Sequence, residues 1–87
     1  MNRVRKRDVM RSELIGLEVE VRSSGQGVFT GTVVDETKNT FTIRREGREV
    51  MVPKDRNEFQ FTYQGEKVLL QGSEIQFRPE DRIKKIR

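Results

Sequence analysis

The chain contains no cysteine and no histidine among its 87 residues. That excludes a disulfide scaffold and the usual zinc sites, and leaves carboxylates as the only conventional metal ligands. No apolar run approaches the roughly 18 residues of a membrane span, and the first residues lack the apolar core of a secretory signal. A cytoplasmic protein with no membrane partner is therefore expected. No GxxxxGK[ST] phosphate loop occurs, and most glycines fall in expected turns. Apolar residues are also scarce, at 32% against 37% charged. They are nonetheless grouped in period-2 runs, which argues for a folded chain rather than a disordered one. A chain of this length makes one compact core without help from metal or disulfide.

Positive charge is exported to the two ends. Residues 1–11 carry five basic groups (Arg3, Arg5, Lys6, Arg7, Arg11) against Asp8, and residues 78–87 carry Arg78, Arg82, Lys84, Lys85 and Arg87 against Glu80 and Asp81. The intervening residues 12–77 hold 8 basic and 11 acidic groups. Basic tails on a mildly acidic body read as arms for a polyanion, with solubilising ends as the plainer alternative.

The most informative stretch is GTVVDETKNTFTIRREGREVMVPKD, from Gly31 to Asp55. Its three Val-, Ile-, Phe- and Thr-rich runs are divided by turn signals at Lys38-Asn39 and Glu46-Gly47, residue types that tolerate positive φ. Such a meander removes its edges by curling into a small barrel. Upstream, Leu17–Arg22 alternates, with Leu17, Val19 and Val21 on one face. Gly31 inside the next strand marks a bulge or bend. Phe41, Ile43, Val50 and Val52 point inward, and Pro53 ends their strand. Phe59–Tyr63, Lys67–Leu70 and Glu74–Phe77 continue the extended pattern. A helix of about two turns is expected from Asp8, its N-cap, to a stop at Gly16. A second runs over RPEDRIKK, with Pro79 at its first position. The pattern gives an all-β barrel of about six strands with a short helix at either end. Residues 1–10 form a basic flexible arm and residues 11–87 the barrel domain.

Catalysis has few candidates. Without His or Cys they are carboxylates such as Asp35, Glu36, Asp55 and Glu58, and adjacent Asp35 and Glu36 point to opposite faces. Turn chemistry suits Asp35 better. The aromatic residues at strand spacing read as core, with Phe29, out of phase with its neighbours, the best exception as a base-stacking side chain. What remains is a contact surface of Arg and Lys, in which Arg outnumbers Lys, as phosphate recognition favours. The candidate residues for a phosphate-bearing polyanion are Arg3, Arg5, Lys6, Arg7, Arg11, Lys38, Arg45, Lys54, Arg78, Arg82, Lys84 and Lys85. No catalytic and no metal-binding residue is expected.

The series SELIGLEVEV, GTVVDETKNTFTI, VPKD, GEKVLLQG and RPEDRIKK, in that order from about Arg11 to Lys85, resembles the archaeal ribonuclease P protein component 1 family, the Sm-like barrel subunit of ribonuclease P. VVDETKN and RPEDRIKK are the most specific pieces. The resemblance implies an Sm-like/SH3-like antiparallel barrel and a non-catalytic subunit that binds ribonuclease P RNA. It also implies a zinc-ribbon protein subunit as partner, with Val9, Met10 and Leu14 as candidate contacts. In such a ribonucleoprotein the RNA removes the 5′ leader of precursor tRNA using bound divalent metal, with Mg expected, and this chain would bind no cofactor itself. A ring-forming Sm protein is a weaker match. Asp35 and Asn39 fit the D-x-x-x-N spacing of its first motif, but the Ile-Arg-Gly of the second is missing, so a monomer is expected. A barrel that binds only protein is the third reading.

Overall fold

The computed structural model describes residues 4–23, 25 and 27–85, and the side chains of all of these except Lys85. Helix α1 (Lys6–Met10) precedes six strands: β1 (Glu18–Ser23), β2 (Gly27–Glu36), β3 (Thr40–Arg45), β4 (Arg48–Pro53), β5 (Asn57–Tyr63) and β6 (Glu66–Gln71). A single 3-10 turn (Gly72–Ile75) and helix α2 (Pro79–Lys85) complete the described chain. All strand pairs are antiparallel, in the order β4-β3-β2-β1-β5-β6.

That order forces the sheet to curl. β4 and β5 stand four places apart in the sheet, yet only Lys54, Asp55 and Arg56 join them. Four residue steps reach at most about 14 Å, whereas four strand spacings in a flat sheet span about 19 Å. The link closes only if the sheet wraps round, and the result is a small barrel-like fold.

Turn chemistry sets the hairpins. Glu46 and Gly47 (φ 48° and 77°) and Gln64 and Gly65 (φ 50° and 80°) supply the positive φ of two-residue turns. Lys38 and Asn39 are not among the positive-φ residues, contrary to the sequence expectation. Thr37 replaces that device: its Oγ1 accepts the Thr40 amide at 3.1 Å and lies 2.6 Å from the Thr40 hydroxyl.

The core is lined by Val19, Val21, Val33, Ile43, Val52 and Leu70 around Phe41, Phe59 and Phe61. Phe41 meets Phe59 and Phe61 edge-on, at centroid distances of 5.0 and 5.8 Å. Val50 follows the phase of Ile43 but stays 38% exposed, because β4 is an edge strand with no neighbour beyond it among the described residues.

The ends depart most from the sequence reading. Residues 6–10, within the expected flexible arm, are helical, and Val9 and Met10 are buried; the helix expected over Asp8–Gly16 begins earlier and ends at Met10. Arg5, not Asp8, is the N-cap; Asp8 sits in the first turn and its Oδ2 accepts the Arg5 amide at 3.0 Å. The expected strand at Glu74–Phe77 does not form: the 3-10 turn takes Glu74 and Ile75, Gln76 and Phe77 are irregular, and Glu74 Oε1 accepts the Gln71 amide at 2.9 Å.

Gly72 belongs to this turn for a steric reason: a Cβ there would overlap the backbone carbonyl of Lys54. Gly72→Ala should destabilise the chain by about 1–3 kcal/mol, read as a lower urea midpoint with an unchanged slope. A wild-type midpoint would show that the Lys54 carbonyl is free to move.

Candidate nucleic-acid interface

A buried ion cluster organises the surface. Glu36, last residue of β2, accepts from Arg82 of α2 through two parallel bonds, Nη2 to Oε1 at 2.8 Å and Nε to Oε2 at 3.0 Å. Lys54 Nζ adds a third bond to Oε2 at 2.9 Å. All three side chains are fully buried. The remaining donors find main-chain carbonyls: Arg82 Nη1 donates to Met10 and Ser12, and Lys54 Nζ to Phe77 at 3.0 Å. Lys54 Nζ also lies 4.8 Å from the Phe41 ring centroid. The bidentate Arg–carboxylate geometry is the strong form of such a contact. Two cations share one carboxylate, and burial pushes the Lys54 ammonium below its ordinary value of 10.5, opposed by Glu36 and aided by the Arg82 charge.

This cluster corrects several expectations. Lys54 and Arg82, taken from sequence as RNA-binding, have no exposed surface and spend their donors inside the protein. Val9, Met10 and Leu14, taken as partner contacts, are buried in the core, Val9 and Leu14 completely and Met10 to within 9%. Arg3 and the side chain of Lys85 lie outside the described residues.

The other candidates divide into two places. Arg82 fastens α2 to the Met10–Ser12 backbone, so the two basic ends meet. Arg5, Lys6, Arg7 and Arg11 on one side of that joint and Arg78 and Lys84 on the other are all exposed. Only Lys6 among them has an acidic partner in the described residues, Glu74 at 3.3 Å. Lys38 is exposed two residues beyond Glu36, in a turn whose Asn39 carbonyl accepts the Lys54 amide at 2.7 Å. Arg45 stands apart: it ends β3, about 17 Å by strand rise from Thr40, where β3 leaves that turn.

The sequence reading missed Glu36 as the organising residue. Its burial follows from a bulge between Val33 and Asp35, which shifts the register against β3. One extra residue reverses the facing of everything beyond it, so Glu36 rather than Asp35 shares the inner face with Val33. Asp35 is exposed and accepts the Glu36 amide at 2.9 Å, the local turn role expected of it.

A curled antiparallel sheet, with the C-terminal helix tied to the N-terminal segment through Arg82 and with arginine-rich ends, defines a small β-barrel protein of the binding kind. The comparison with known families is specific. The family model described as Ribonuclease P/MRP, subunit p29 matches residues 7–85, and the chain belongs to that family. It is 48% identical over 85 residues to ribonuclease P protein component 1 of Methanothermobacter thermautotrophicus, covering 91% of this chain and 90% of that protein. The protein of the same name from Methanocaldococcus jannaschii is 45% identical over 82 residues, covering 90% and 86%. That of Pyrococcus furiosus is 41% identical over 87 residues, covering 95% and 68%.

Removing one partner of a buried pair costs about 3–5 kcal/mol. Glu36→Ala, which strands two buried cations, and Arg82→Ala should each lower stability by about that amount. Lys54→Met, which leaves a balanced Glu36–Arg82 pair and keeps an aliphatic stem on Phe41, should cost clearly less in the same urea titration. Lys54 also carries a pH sign. Its folded pKa lies below 10.5, so in the window beneath that value the unfolded chain holds the extra proton. The lysine's contribution to stability therefore rises with pH across that window. The stability difference between wild type and Lys54→Met, followed across it, checks the sign.

Proposed function

We propose that this ribonuclease P subunit acts as an RNA-binding protein that supplies no catalytic group of its own. It would bind and stabilise the ribonuclease P RNA, with the zinc-ribbon subunit as neighbour, in a ribonucleoprotein that removes the 5′ leader of precursor tRNA. The observation that carries this reading is the joint at Arg82, whose bonds to the Met10 and Ser12 carbonyls tie the basic C-terminal helix to the basic N-terminal segment. Neutralised phosphates let RNA helices pack against each other and release counterions as they bind. Arg5, Lys6, Arg7, Arg11, Arg78 and Lys84 are the residues assigned to that contact, with Lys38 near it. Arg82 acts by positioning them. The divalent metal of the reaction belongs to the RNA in this reading, and the isolated chain is a monomer.

Each phosphate neutralised contributes roughly 0.7–0.9 to the slope of log affinity against log salt. With about three contacts on the N-terminal side, replacing Arg5, Lys6, Arg7 and Arg11 by Ala should flatten the slope by about two to three units. Glu18 and Glu20, on the outer face of β1, are the control positions, and neutralising them should leave the slope as it was. An unchanged slope in the basic-end variant, with lost affinity in the control, would place RNA on the barrel wall. Reconstitution with the RNA and the other protein subunits gives the functional readout. Precursor tRNA cleavage should fall when this chain is omitted, and the chain alone should cut nothing.

A further inference from the structure

The β3–β4 hairpin sets two like charges against each other. Arg45 and Arg48 are direct partners across the ladder, on either side of the tight Glu46-Gly47 turn. Like charges so placed repel. The next pair along shows the usual remedy, with Arg44 Nη2 donating to Glu49 Oε2 at 2.8 Å. Among the described residues neither Arg45 nor Arg48 forms an ion pair. The hairpin therefore holds two unneutralised cations face to face.

Arg45 is held in place. Its guanidinium lies 4.7 Å from the centroid of the Phe29 ring, and both residues are half-buried. Phe29 also lines a cleft of about 140 Å³ between β4 and the end of β1, together with Ser23, Val50, Met51 and Asn57. That is below the roughly 300–1,000 Å³ of pockets for whole small molecules, and suits a single flat ring. Its apolar wall is open to solvent, with Met51 68% exposed. A planar cation, an aromatic ring, an apolar slot and a second arginine thus converge at a point remote from the basic ends.

We infer that this is a second RNA contact, a site for one unpaired nucleotide. Arg45 and Arg48 clamp its phosphate, and the base stacks on the Arg45–Phe29 pair at the cleft. An anion between the two guanidinium groups relieves their repulsion, and the arginine fork matches phosphate oxygens. The base must be unpaired because a duplex keeps its base faces stacked, whereas a single strand offers them to aromatic and guanidinium planes. This inference rests on the RNA-binding reading above, but uses different residues.

The full chain can be tested with a short oligouridylate, a duplex RNA of equal length and a polyglutamate peptide. Replacing Arg45 and Arg48 together by Gln should flatten the salt slope for oligouridylate by about 0.7, the value of one single-stranded phosphate. Arg45→Lys keeps the charge, and Phe29→Leu removes the ring. Each should leave the slope unchanged and weaken oligouridylate binding by about fivefold to a hundredfold, the range of one stacked base. Duplex binding should be the same in all three. Without RNA, the double Gln variant should melt about 1–4 °C higher than wild type, as the repulsion is gone; this also shows that it folds. Unchanged oligouridylate affinity in the folded double variant overturns the site. If the Arg5, Lys6, Arg7, Arg11 variant still flattens the slope in that case, the RNA-binding reading survives alone. Binding of polyglutamate but of neither RNA overturns both, and makes the hairpin a dock for acidic protein.

Discussion

One buried carboxylate carries the arrangement of both ends. Glu36 takes three charged hydrogen bonds from residues that are 18 and 46 positions away in the chain. Through Lys54 it holds the β4–β5 link that makes the sheet curl, and through Arg82 it holds α2. Arg82 then passes the constraint on to the N-terminal segment by its bonds to the Met10 and Ser12 carbonyls. Every charged atom in this chain of contacts is satisfied, and among the described residues no buried side-chain polar atom lacks a partner. A cluster in that state rigidifies and specifies its surroundings, whereas a half-satisfied one would destabilise them.

The cluster also separates two kinds of basic residue that look alike in the sequence. Arg82 and Lys54 are internal fasteners. Arg5, Arg7, Arg11, Arg78 and Lys84 are exposed, and their value to a polyanion depends on where the fasteners put them. Self-repulsion among them opposes the joint, so a strong internal bond is what lets two positively charged ends sit together. The core residues Val9, Met10 and Leu14 add apolar burial at the same place, which is why they serve the fold and not a partner.

Much of the fold was legible in the sequence. Period-2 runs located the strands, and the Glu46-Gly47 turn was visible as turn chemistry. The family resemblance agreed with them. The interior of the site was not legible, for a physical reason. Period-2 reading assumes an unbroken ladder, and the bulge after Val33 exchanges the faces of Asp35 and Glu36. With Asp35 and Glu36 placed only on opposite faces, nothing marked Glu36 as the buried partner of Lys54 and Arg82, and both were read as surface. One signal did point the right way: VVDETKN, VPKD and RPEDRIKK, three of the segments that carried the resemblance, each contain one member of the cluster. The N-terminal helix was expected from Asp8 to Gly16 but runs from Lys6 to Met10, because Asp8 accepts the Arg5 amide from within the first turn instead of capping the helix.

Amide hydrogen exchange on Glu36→Gln tests the central claim most directly. That variant keeps the shape of the side chain while removing the charge that both cations need. If Glu36 fastens the two ends as one unit, residues 4–12 and 79–84 lose protection together while the strands around Phe41, Phe59 and Phe61 stay protected. Loss in one terminal segment with the other unchanged, or wild-type protection in both, would contradict the account.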